Sequence, residues 1–101
     1  MQVSSNIQQD KAVLTLNGRF DFNSHRDFRN GYDDLLQNNN IKQLEINLNG
    51  VDYLDSSALG MLLLLKERAA AAHIALELTN CRGMVKQVLD VANFGKIFNI
   101  S

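Results

Sequence analysis

Two segments that alternate strictly between apolar and polar residues, Leu44-Glu45-Ile46-Asn47-Leu48-Asn49 and Ile74-Ala75-Leu76-Glu77-Leu78-Thr79, flank the most apolar run of the chain, Ala58–Leu65. Period-two alternation marks strands buried on one face only. A strand, a helix of about residues 57 to 72 and a second strand form a βαβ unit, whose two strands run parallel. A parallel sheet covered on both faces carries near-continuous apolar strands. These strands are half polar, so their helices are expected mainly on one face. Right-handed crossovers that all keep to one side place successive strands side by side. The expected fold is therefore α/β, a mostly parallel sheet wound as a (βα) superhelix.

The remaining pattern fits this frame. Ala12–Leu16 reads as a strand, and Val3, Ser5 and Ile7 alternate before it; Gln9-Asp10 between them suits a hairpin, which allows the N-terminal strand to run antiparallel. Phe28, Tyr32, Leu35 and Leu36 form one helical stripe, opened by Asn23 or Ser24. Val85, Val88, Leu89 and Ala92 form another. At 101 residues a single domain, 1–101, is expected.

Composition excludes several function classes. A net charge of −1 without a dense Lys/Arg cluster gives no field for nucleic acid or anionic lipid. The run Ala58–Leu65 is too short to insert into a bilayer, and the first ten residues lack a signal pattern. The single cysteine, Cys81, suits a reducing compartment, so a cytoplasmic location is expected. No cofactor is expected: the six glycines make no phosphate-binding motif, and Cys81, His25 and His73 have no metal-ligand spacing. Neither Gly-x-Ser-x-Gly nor Ser-x-x-Lys is present, so an enzyme is not expected. His25, at the start of the first helix, is the one histidine able to approach a serine nucleophile by way of a loop. Cys81 reads as a small apolar filler, with a thiolate favoured by the last helix as the alternative. Gly60 reads as a close-packing position within its helix.

Loops leaving parallel strands emerge at one edge, where α/β proteins place their sites. Here those loops are Asn17–Ser24, with Asp21; Asn49–Ser57, with Asp52, Asp55, Ser56 and Ser57; and the turn at Asn80-Cys81. Asp21 and Ser56 become candidate neighbours across 35 positions. Asp and Ser are preferred helix caps, because their oxygens accept the unpaired N–H groups of the first turn. The same helix end tolerates a phosphate, since it carries about half a positive charge. Residue types alone leave capping and chemistry both open.

The stretch "VDYLDSSALGMLLLL" resembles the signature of the STAS domain family, the bacterial anti-sigma factor antagonists. "LNGRFDF" resembles that family's strand ending in Gly, a gap and Asp, and "LELTNCRGMVKQVLDVANFGKIFNI" its closing strand, helix and tail. The resemblance implies a STAS-like fold, phosphorylation on Ser56 and support of that site and its partner surface by Asp21, Asp55, Ser57, Ala58 and Leu59. Ala58 departs from the Gly of many members, which would alter the surface met by a kinase. It implies an anti-sigma factor as partner, which in this family also acts as the Ser kinase, together with a phosphoserine phosphatase or a response regulator, and a monomer or weak dimer. The narrower likeness of "YLDSSALGMLLLL" is to small proteobacterial members that work with a response regulator in motility or biofilm control. The alternative reading is a non-phosphorylated docking subunit of a transport complex. The excess of leucines over one helical stripe points to a partner in either case.

Overall fold

A computed structural model describes residues 1–101. Five strands lie in the order of the chain: β1 (Gln2–Gln8), β2 (Lys11–Phe20), β3 (Gln43–Leu54), β4 (Ala75–Thr79) and β5 (Asn99–Ile100). β1 pairs antiparallel with β2, and every other pair is parallel. The helices are α1 (His25–Gln37), α2 (Ser56–Ala71) and α3 (Gly83–Val91). Sequential order in a parallel sheet is the mark of crossovers that stay on one side, as the alternating strands require.

Burial follows the period-two pattern. Leu44, Ile46 and Leu48 are fully buried with Ala12, Leu14 and Leu16 beside them, while Glu45 and Asn47 stay on the open face. Phe28, Tyr32 and Leu35 of α1 and Val85 and Leu89 of α3 cover this core, and Phe28 packs against Phe20 and Tyr32 at centroid distances of 4.9 and 5.2 Å. The open face carries a polar ladder. Lys11 bridges the carboxylates of Glu45 (3.1 Å) and Glu77 (3.3 Å), which stand directly opposite each other in the β3–β4 register. Like charges in that position repel, so the ammonium between them offsets a penalty the sheet would otherwise carry. Thr79 donates its hydroxyl to Glu45 at 2.7 Å.

Several expectations are corrected. β2 and β3 run on through "NGRF" and "NGVDYL", which read as loops; Asp52 therefore lies in a strand. Register shifts between Thr15 and Asn17 and between Gly18 and Arg19 let both strands continue. Gly18 takes φ +107° there, and the carboxamide of Asn17 lies against Gly50, where it would have to move to admit a Cβ. α1 does have Ser24 as its N-cap residue, one of the two expected, but without a side-chain cap bond: a 3₁₀ turn, Phe22–Ser24, precedes the helix, and the buried Ser24 hydroxyl donates to the Arg19 carbonyl at 2.8 Å. Gly60 is exposed with nothing within 4 Å of a Cβ, so it does not serve close packing. That role belongs to Gly31, where a Cβ would meet Val3 Cγ1 at 2.6 Å and Leu14 Cδ1 at 3.3 Å.

These two glycines give opposite predictions. Gly31→Ala gains helix propensity but presses on a stiff Val3 and a packed core, and it should lose about 1–3 kcal/mol. Gly60→Ala should gain about 0.5–1 kcal/mol. Urea unfolding midpoints that move in the same direction for both variants would contradict this packing.

The ladder gives a third prediction. The Thr79 hydroxyl, and after it Lys11, hold the Glu45 carboxyl below its usual range. A depressed carboxyl contributes stability above its unfolded pKa, and that contribution is lost as pH falls through the folded value. Thr79→Val should therefore be less stable than the wild type at neutral pH, by a margin that shrinks below the ordinary carboxyl value of 4.5. Parallel stability–pH curves down to acid unfolding would count against it.

Candidate functional site

The site lies where β2 and β3 end together. Their ladder closes with the pair Phe20/Leu54, and the Asp55 N–H donates to the Phe20 carbonyl at 3.3 Å. The residue after each strand is an aspartate, Asp21 and Asp55, so adjacent-strand spacing of roughly 5 Å brings their backbones together. Both fully buried side chains beneath them, Phe20 and Leu54, anchor this end to the core.

Each aspartate caps the element that follows it. The Asp55 carboxylate accepts from the Ala58 N–H at 3.0 Å and is the N-cap of α2. The Asp21 carboxylate accepts from the Asn23 N–H at 3.0 Å, and its own N–H donates to Ser24 Oγ at 3.2 Å, a reciprocal capping box around the 3₁₀ turn. Asp21 also pairs with Arg19 at 3.6 Å, and Arg19 lies 3.9 Å over the ring of Tyr53.

With capping assigned to Asp55, the two serines after it are free of that task. Ser56 is the first helical residue, exposed, and its hydroxyl makes no hydrogen bond within the protein. Ser57 and Leu59 are half-buried. Ala58 is fully buried, so it adds nothing to the surface and its difference from Gly leaves that surface unchanged. Its small side chain is needed beneath the first turn, where the core begins.

Exposed apolar side chains occur on α2 and on the neighbouring Phe22–Ser24 turn. Leu63, 40% exposed, lies two turns from Ser56 along the same helical face, with Gly60 between. Phe22, on the turn capped by Asp21, is 74% exposed. Phe22 was not among the sequence candidates; nothing in the residue types separates it from Phe20 and Phe28, which are buried on either side of it.

Other candidates fall away from this site. Asp52 lines a small depression with Arg82, Gly83 and Met84. His25 is exposed beside Phe22, Arg26 and Asp27, and makes no hydrogen bond to Ser56. His73 precedes β4 at the opposite edge. Cys81 is half-buried; burial pushes its thiol up, and its Sγ donates to the Thr79 carbonyl at 3.9 Å, so the filler role holds and the activated thiolate does not. No helix is long and apolar enough to cross a membrane.

This architecture recurs in known proteins. The family profile described as "Mlab, STAS domain" matches residues 3–99. A STAS-domain containing protein of Pseudomonas aeruginosa (strain UCBPP-PA14) is 40% identical over 91 residues, covering 90% of this chain and 88% of the relative. An anti-sigma factor antagonist from Mycobacterium paratuberculosis superposes with a TM-score of 0.86 at 16% identity, over 98% of this chain and 83% of that one. The Bacillus cell fate determinant SpoIIAA in its phosphorylated form superposes with a TM-score of 0.73 at 16% identity, over 98% of this chain and 90% of that one. At such identities the structural likeness speaks for the fold, while the profile and the 40% identical relative speak for descent. The chain belongs to the STAS domain family, and its fold is that of the bacterial anti-sigma factor antagonists.

Proposed function

We propose that this chain is a phosphorylation-controlled partner switch of the anti-sigma factor antagonist type, with Ser56 as the phosphoacceptor. The observation that carries the reading is the division of labour at α2: Asp55 caps the helix, and the adjacent Ser56 hydroxyl is exposed and unbonded. Unmodified, the first two turns of α2 and the Phe22 turn offer a neutral, partly apolar surface to an anti-sigma factor, releasing the sigma factor it holds. Phosphorylation adds about −1.5 to −2 charges beside Asp21 and Asp55. Repulsion and desolvation at a packed interface then oppose binding, while the positive end of α2 keeps the phosphate compatible with the fold.

In this reading the protein is the substrate of a kinase rather than a catalyst, and Mg-ATP belongs to the kinase. The partners are an anti-sigma factor that is also the Ser kinase, and a phosphatase or response regulator that resets the switch. A cytoplasmic location follows from that role.

Three variants test it. Ser56→Ala should keep partner affinity and change stability by a few tenths of a kcal/mol at most, because Asp55 holds the cap. Ser56→Asp should fold normally and lose at least about tenfold in affinity for the anti-sigma factor of the same organism. Asp55→Ala should lose about 1 kcal/mol of stability. Titration calorimetry and thermal unfolding read both effects. Equal affinities for the wild type and both Ser56 variants would instead make this a constitutive docking module, as in a transport complex.

A further inference from the structure

We infer that β1 is a self-pairing edge, through which two copies of this chain join their sheets across a two-fold axis at Ser5. The two edges of the sheet differ. β5 is two residues long, whereas β1 has seven. Long edges are normally blunted by charge, proline, a bulge or a covering element. β1, Gln-Val-Ser-Ser-Asn-Ile-Gln, has no charge and no proline, and its register with β2 runs without a shift from Gln2/Asn17 to Gln8/Lys11. Six of its seven residues are exposed, among them Ile7 at 47%.

The occupant is indicated by the sequence of the strand itself. About Ser5, β1 is a chemical palindrome: Gln2 matches Gln8, Val3 matches Ile7, and Ser4 matches Asn6. An isologous contact needs this property, since each residue meets its mirror position in the other copy. Antiparallel pairing centred on Ser5 sets Val3 against the partner's Ile7 twice, an apolar cross-strand pair on the helix-bearing face.

Backbone geometry permits the same register. The two-residue turn Gln9-Asp10 makes Gln8/Lys11 the closing hydrogen-bonded pair, so even residues of β1 face β2. Consistently, the Asp10 carbonyl accepts from Lys42 and Gln43 on the β3 side, leaving odd residues of β2 to β1. The free N–H and C=O groups of β1 are therefore those of Val3, Ser5 and Ile7. In the Ser5-centred register these residues meet only one another.

One feature opposes association. Asp27 pairs with the Met1 ammonium at 3.9 Å, but Asp34, two turns further along the same face of α1, has no such partner, so a carboxylate of each copy faces the other across the axis. The pairing is thus weak and favoured by salt. The carboxyl edge with Ser56 is left free in both copies, so the inference stands independently of the switch.

The test uses the full chain in a Cys81→Ser background at ~0.5 M salt, where screening is short-ranged. Opposed hydrogen-bonded residues have Cα atoms about 5.5 Å apart, within the disulfide range. Ser5→Cys should therefore cross-link to a dimer under mild oxidation. Ser4→Cys, whose two copies lie about 8 Å apart on a diagonal, should do so at least about tenfold more slowly. Sedimentation should show reversible dimerisation of the wild type at up to about 1 mM, weakened at least tenfold by Ser5→Lys, which sets like charges on the axis. A wild type that stays monomeric throughout, equal cross-linking at positions 4 and 5, or undiminished dimerisation of Ser5→Lys would each overturn the inference.

Discussion

The parallel ladder between β2 and β3 is the interaction on which the rest depends. It runs from Lys11/Gln43 to Phe20/Leu54 and ends with the Asp55 N–H on the Phe20 carbonyl. Because the two strands stop in register, the residues that follow, Asp21 and Asp55, are held side by side although they belong to different loops. In its regular stretch, Lys11–Thr15 against Gln43–Asn47, a one-residue slip would exchange buried and exposed faces. The apolar residues 12, 14, 16 and 44, 46, 48, all fully buried, forbid that slip. The core thereby fixes the edge that carries the candidate site, with Phe20, Leu54 and Ala58 reaching up to it.

At that edge, in the proposed reading, stability and recognition fall to different residues. Asp55 satisfies the helix end, Ala58 fills the space beneath it, and Ser56, Leu59, Gly60 and Leu63 turn outward or partly outward. The apolar residues of α2 exceed the stripe the core covers: Met61, Leu62 and Leu65 are buried, while Leu63 and Leu64 are exposed. The opposite face of the sheet contributes differently. Its Lys11–Glu45–Glu77 bridge and the Asn80–Asn47 hydrogen bond at 3.0 Å tie three strands together without a covering helix.

Much of this was legible in the sequence, and the misses have physical causes. Strict alternation in 44–49 revealed one-sided coverage, because burial on a single face leaves a period-two trace. The Asp-Ser-Ser stretch marked the start of α2, but residue preference cannot tell Asp55 from Ser56 as the cap; only the carboxylate's bond to Ala58 does so. Asn17-Gly18 and Asn49-Gly50 read as turns because both residue types favour them. In the sheet the same pairs accommodate register shifts, which depend on the neighbouring strand. Gly60 and Ala58 were misplaced for a related reason: the 3.6-residue period fixes neighbours along a helix, not which side meets the core. β5, only two residues long, is too short to leave any pattern.

The central claim is that the fold is insulated from charge at position 56, so a phosphate there alters recognition and leaves the architecture intact. The most direct measurement is the unfolding free energy of the protein carrying phosphoserine at position 56, compared with the unmodified chain under identical conditions. With Asp55 retaining the cap and the helix dipole favouring an anion, the two values should agree within about 1 kcal/mol, with the Ala58 amide still protected from hydrogen exchange. A loss of more than about 3 kcal/mol, with that amide exposed, would mean that the phosphate breaks the helix end and that the proposed division of labour is wrong.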